Sequence, residues 1–208
     1  MRQPSEPKLY LVRPPPREED DAALAVAAAR GEPWAASAVW DRHSNLVRGM
    51  LRRALGATDV DDHVQEVFFR FFQHGSEMRE PALLRSYLVG IAFRVAGSEL
   101  RRRKVRRFLG LTPSGEVPSP AIPPLDAEAR EAVVRLYEIL DRLAPLSRLV
   151  FTMRYIEGLE LTEVAAAAGT SLATVKRKLG KASDVVFRSA RRDEALMSYL
   201  SRHSGREP

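Results

Sequence analysis

Four cations stand close together near the end of this chain: Lys176, Arg177, Lys178 and Lys181, with Thr174 just before them. Ammonium and guanidinium groups at such spacing hold phosphates, and a guanidinium can also pair bidentately with a guanine edge. A second group has the opposite sign. Asp61, Asp62, Gln65 and Glu66 recur at helical steps with one aromatic, Phe69, among them. Carboxylates ringing an apolar anchor suit a protein partner better than a nucleic acid. A third group, Arg101, Arg102, Arg103, Lys104, Arg106 and Arg107, is too dense for helix-end electrostatics alone and points to a polyanion. Nothing resembles an acid–base pair, an activated nucleophile or a phosphate-cradling glycine loop, so the chain is expected not to be an enzyme.

The elements that must carry these groups are helices. The upstream cations lie in LELTEVAAAAGTSLATVKRKLGKASDVVF, residues 159–187. Ala165 and Ala168 allow two helices to approach, Gly169 suits a left-handed turn, and Ser171 can cap the second helix. Leu172, Val175, Leu179, Ala182 and Val186 then form one apolar face, opposite the cations. This is a helix-turn-helix whose second helix could lie in a major groove. Gly180 inside the second helix costs about 1 kcal/mol against alanine, or lets the backbone approach DNA closely.

The acidic group falls on a helix over residues 58–72, capped by Thr58 or Asp59. Its core stripe is Val60, Val64, Val67, Phe68, Phe71 and Phe72. Residues 73–81 read as a loop. A long helix follows over residues 82–107, able to bend at Gly90 or Gly97. Upstream, an alanine-rich helix starts at Asp21 and closes at Gly31, and another runs from Pro33 to Gly56.

Residues 110–125 hold five prolines and one charge, which marks a linker. Beyond it, helices are expected over residues 126–143 and 147–157. The fold class is therefore all-α: two small helical domains joined by a Pro-rich linker, the second a four-helix domain with the helix-turn-helix. The boundaries are a Pro-rich tail at 1–20, a first domain at 21–109, a linker at 110–125, a second domain at 126–200 and a charged tail at 201–208.

The whole chain, 208 residues with net charge +6 and no cysteine, favours a nucleic-acid partner and excludes disulfides and thiolate metal sites. Its four histidines show no ligand spacing, so neither a metal nor a cofactor is expected. No apolar run is long enough for a membrane span and no leader pattern opens the chain, which reads as cytoplasmic with no membrane insertion.

Two stretches carry a family resemblance. DVDDHVQEVFFRFF with LLRSYLVGIAFRVAGSELRRRK resembles the core- and promoter-binding domain of bacterial sigma factors. LAPLSRLVFTMRYIEGLELTEVAAAAGTSLATVKRKLGKA resembles their promoter-reading C-terminal domain. The order, across a short Pro-rich linker, is similar to that of the extracytoplasmic-function (ECF) group. The resemblance implies a subunit that binds core RNA polymerase, directs promoter recognition and melting, and is held by an anti-sigma factor. It places core docking on Asp61, Asp62, Gln65, Glu66 and Phe69. It places the start-proximal promoter element on Tyr87, Arg94, Ser98, Arg101, Arg102 and Arg103, and the upstream element on Ser171, Thr174, Lys176, Arg177, Lys178 and Lys181. Tyr87, Arg94 and Ser98 depart from the family's usual tryptophan, asparagine and aspartate, Thr170 from a usual apolar turn residue, and Glu160 from a usual serine cap, which leaves Thr162 as the expected cap of the first helix of the helix-turn-helix. Two other readings fit the same residues: a free-standing helix-turn-helix regulator, and a sigma-like protein that binds core without reading promoters.

Overall fold

The computed structural model describes residues 21–57, 59–110 and 127–203. The N-terminal tail, most of the linker and the last residues lie outside that range, as does Thr58. All regular structure among the described residues is helical. The first half holds α1 (Asp21–Ala29), α2 (Pro33–Leu55), α3 (Asp61–His74) and α4 (Leu84–Phe108). The second holds α5 (Ala127–Leu140), α6 (Pro145–Tyr155), α7 (Leu161–Ala168), α8 (Leu172–Ala190) and α9 (Glu194–His203).

Local chemistry sets most boundaries. Pro33 opens α2, where its missing N–H leaves no bond unmade. Gly56 closes it in the left-handed region at φ 62°, donating its N–H to the Arg52 carbonyl at 2.8 Å. α3 starts later than expected, at Asp61, and Asp59 Oδ1 accepts the Asp61 N–H at 3.3 Å. The expected loop at 73–81 is more ordered than its composition suggests: α3 runs on to His74, and two 3-10 turns, Gly75–Glu77 and Pro81–Leu83, lead into α4. Glu160, not Thr162, precedes the first residue of α7, and Glu163 accepts the Glu160 N–H at 2.8 Å. The Glu160 carboxylate accepts the Glu163 N–H in return, so a reciprocal pair of glutamates does the work expected of a threonine hydroxyl. The structure also adds α9, a further helix that packs on α5.

The two halves share a core. Leu24, Val39, Leu51, Val64, Phe68, Phe71, Leu84, Leu88 and Val95 of the first half are buried in one cluster with Leu149, Val150, Met153, Val164, Ala167 and Val175 of the second. A smaller cluster, including Tyr137, Leu140, Phe151, Ala182, Val186 and Leu196, holds the second half together on its other side. α4 is a single helix through both glycines. Gly90 and Gly97 act as notches: a Cβ on Gly90 would lie 3.9 Å from the Ala167 Cα of α7, and one on Gly97 would lie 3.3 Å from Leu149 Cδ1 of α6.

The end of α2 forms a socket for the second half. A helix leaves its last carbonyls without helical partners. Here Arg53 O accepts from Tyr137 Oη at 2.8 Å, Ala54 O from Arg148 Nε at 3.1 Å, and Leu55 O from Arg103 Nη1 at 2.9 Å. Arg148 is buried and also pairs with Asp141. Burial lowers its pKa to about 10, still charged at neutral pH. Arg53 itself donates through Nη2 to Glu157 Oε2 at 2.8 Å and pairs with the other carboxylate oxygen as well.

Candidate functional site

α3 presents the acidic face. Val64, Val67, Phe68 and Phe71 anchor the helix in the core. Asp61, Asp62, Gln65 and Phe69 point outward and Glu66 is half-buried. Phe72 departs from the expected core stripe: it is 42% exposed, beside Phe69 at 58%. Trp40 of α2 packs on Phe68, ring centroids 4.7 Å apart, and Phe72 lies against Phe68 and Phe71 at the edge of this cluster, at 6.4 and 5.2 Å. Trp40, Phe68, Phe69 and Phe72 with Asp62, Gln65 and Glu66 line one shallow groove. Sequence reasoning missed Trp40 and Phe72, since helical spacing cannot tell a core edge from a surface edge. Two carboxylates are already paired, Asp61 with Arg48 Nε at 3.0 Å and Glu66 with Arg70 Nε at 2.7 Å.

α4 carries the second set. Tyr87 is half-buried, its hydroxyl donating to the His74 carbonyl at 3.2 Å and its ring edge-on to Phe71. Arg94, Ser98 and Arg101 are exposed along one side, and Arg101 Nη2 donates to Ser98 Oγ at 3.0 Å. Arg102 and Arg103 have a tie that the sequence hid. Glu99 is only 7% exposed and accepts from Arg102 Nε at 2.7 Å and Arg103 Nε at 2.8 Å. Burial raises the Glu99 pKa, but the bonds and charges of Arg103 and Arg102 outweigh it and hold the carboxyl below its usual value. Arg103, with its second bond to Leu55 O, is thus engaged inside the protein in this conformation. Arg102 stays more open, its side chain 60% exposed.

The helix-turn-helix has the expected geometry. Gly169 is left-handed at φ 60°, and Ser171 Oγ accepts the Thr174 N–H at 3.2 Å. Ser171 also donates its hydroxyl hydrogen to Thr174 Oγ1 at 3.0 Å, so the half-buried Thr174 side chain belongs to the cap. Val175, Ala182 and Val186 are buried, whereas Leu172 and Leu179 are half-buried. Lys176, Arg177 and Lys181 are exposed and Lys178 is half-buried. A Cβ at Gly180 would meet nothing within 4 Å, so no internal packing calls for glycine there.

Comparison with known proteins joins these surfaces. The family model described as Sigma-70 region 2 matches residues 39–106, and that described as Sigma-70, region 4 matches residues 134–183. The ferric citrate uptake sigma factor FecI of Escherichia coli (strain K12) is 31% identical over 150 residues, covering 67% of this chain and 81% of that protein. The chain belongs to the sigma-70 family, in its extracytoplasmic-function group. The RNA polymerase sigma factor NccH of Alcaligenes xylosoxydans xylosoxydans is 28% identical to this sigma factor, with 78% of this chain and 90% of that one covered. Among solved structures, that of CnrH in complex with the cytosolic domain of CnrY matches with a TM-score of 0.59 at 25% identity, over 84% of this chain and 99% of that one. The sigma factor is thus a promoter-directing subunit of RNA polymerase. Among the described residues no helix is long and apolar enough to cross a membrane, and no cluster of ligating side chains could hold a metal ion.

Proposed function

We propose that this sigma factor docks on core RNA polymerase through the α3 face, opens and reads the start-proximal promoter element along α4, and reads the upstream element with α8. The observation that carries the docking assignment is the pair of exposed phenylalanines, Phe69 and Phe72, set among Asp62, Gln65 and Glu66 on a helix whose other face is core. Two adjacent exposed aromatics inside a charged rim have the anatomy of a protein interface. A single-stranded promoter would meet Tyr87 as a stacking surface with Arg94, Arg101 and Arg102 along its phosphates. Upstream DNA would meet Arg177 as a base-reading fork and Lys176, Lys178 and Lys181 as phosphate contacts.

In this reading the protein is a dissociable specificity subunit of the cytoplasm and not an enzyme. An anti-sigma factor belongs among its partners, in keeping with the CnrH relative having been solved with the cytosolic domain of CnrY.

The test is a core-binding titration. Asp62→Lys with Glu66→Lys should weaken the affinity for core polymerase about tenfold, ~1.4 kcal/mol, with the helical circular dichroism unchanged. A folded double variant that binds core as tightly as the parent would remove α3 from the interface. Promoter-dependent transcription with core enzyme then separates a working sigma factor from one that binds core without reading DNA.

A further inference from the structure

On α4, Arg102 is both exposed and tied down. Glu99, one turn earlier and buried, accepts from Arg102 Nε at 2.7 Å, and Arg102 Nη2 lies 2.7 Å from the same carboxylate oxygen. Those two nitrogens form one edge of the guanidinium. The other edge, Nη1 with the remaining hydrogen of Nη2, points away from the carboxylate, on a side chain that is 60% exposed. The second Glu99 oxygen accepts from Arg103 Nε at 2.8 Å, and Arg103 Nη1 donates to the Leu55 carbonyl of α2 at 2.9 Å. On the α3 side, His63 Nε2 stands 3.7 Å from Glu99 Oε2. Glu99 is therefore fixed from within by Arg103 and α2, and grips Arg102 from a rigid base.

The charges act in the same sense. A carboxylate on a DNA-facing helix would by itself repel phosphates. Here Arg103 offsets it from the inner side, so two guanidiniums against one carboxylate leave a single positive charge, presented at Arg102. A free surface arginine gives up rotamer freedom when it grips a phosphate, whereas one already held in a plane gives up much less. We propose that Glu99 is a positioning residue for promoter DNA: anchored by Arg103, it fixes the Arg102 guanidinium with one edge turned outward, and that edge receives a backbone phosphate of the start-proximal element. The proposal rests on the assignment of α4 to that element. Arg103 serves the anchor and makes no DNA contact.

The sign of one substitution separates positioning from charge. Glu99→Gln removes a negative charge, which would tighten DNA binding if the cations of α4 acted only as a field. Positioning requires the opposite. The probe is a labelled promoter fragment selected from random sequence on the parent holoenzyme, titrated by anisotropy at several salt concentrations with the full chain bound to core polymerase. Arg102→Ala should weaken binding about tenfold and lower the salt slope by about 1. Glu99→Gln should weaken it about fivefold, and should cause no further loss in the Arg102→Ala chain. Arg102→Lys keeps the charge, loses the two-edged fork and should also weaken binding severalfold. It leaves the buried Glu99–Arg103 pair intact, so it decides the matter if Glu99→Gln fails to fold. Tighter binding by Glu99→Gln, or parental binding by Arg102→Lys, would overturn the proposal. So would an equal loss from Glu99→Gln in the parent and Arg102→Ala chains, which would mark Glu99 as a support of the helix alone. An Arg102→Ala chain that binds like the parent, while Arg94→Ala and Arg101→Ala weaken binding, would overturn it and leave α4 as the reading helix. Parental binding by all three alanine variants would overturn the α4 assignment and the proposal with it.

Discussion

Arg177 and Lys181 lie one turn apart on α8, both exposed and both cationic, yet their chemistry assigns them different work. A guanidinium fork can pair with both acceptors of guanine, whereas an ammonium acts as a point charge. Arg177→Ala should therefore cost about 1–3 kcal/mol on the preferred upstream element and relax the base preference there. Lys181→Ala should weaken every sequence alike and lower the salt slope by about 1. Binding measured across a promoter library at several salt concentrations checks both. Equal, sequence-blind losses would reduce α8 to a positive field. The same residue-level view explains why a run of six cations on α4 is not six contacts: the buried Glu99 draws in Arg102 and Arg103, and Arg107 lies 3.6 Å from Asp141. A buried carboxylate between two guanidinium groups is stable only if they remain close.

Among the elements, α2 is the one on which both halves depend. Its C-terminal turn ends at Gly56, where the backbone is left-handed and a Cβ would lie 2.5 Å from the Tyr137 ring. Gly169, which ends α7, has nearly the same backbone conformation at φ 60° and nothing within 4 Å of its Cβ position. Alanine at either site meets the same backbone penalty, about 1 kcal/mol. Gly56→Ala must also displace Tyr137 and leave the Arg53 carbonyl without its hydroxyl partner, a further cost of about 1–3 kcal/mol. Thermal unfolding of the two variants should show Gly56→Ala clearly the less stable. Equal losses would mean that the Tyr137 contact contributes nothing to the fold.

For the whole molecule, the shared core changes what cutting the chain should do. Two independent domains on a linker would part when the linker is severed. Here Leu149, Val150, Met153, Val164 and Ala167 are buried against the first half, and removing that much apolar surface from water is worth several kcal/mol at roughly 25 cal/mol per Å². A chain with a protease site inserted within residues 111–126 should therefore stay together after cleavage at moderate salt, as one peak on gel filtration. Glu157→Arg in the cleaved chain should favour separation, because it removes the Arg53–Glu157 ion pair between the two halves. Separation of the cleaved parent would restore the independent-domain picture.

The helices up to α8, most of their buried stripes, the Gly169 turn and the Ser171 cap were legible in the amino-acid order because each depends on neighbours within a turn or two of the chain. So was the acidic face of α3, where charge and helical spacing coincide. The groove on that face was not fully legible: Trp40, from α2, joins Phe69 and Phe72 in lining it, a neighbour that spacing within α3 does not reveal. Gly90 and Gly97 looked like points of weakness and are seats for α7 and α6. Arg148 is buried, which nothing in the local sequence signals, since only the folded chain brings Asp141 and the Ala54 carbonyl to its guanidinium. Periodicity reports which face of a helix is apolar. Which partner covers that face, and which charges are enclosed with it, is decided by contacts between residues far apart in the chain, and those exist only once the two halves have packed.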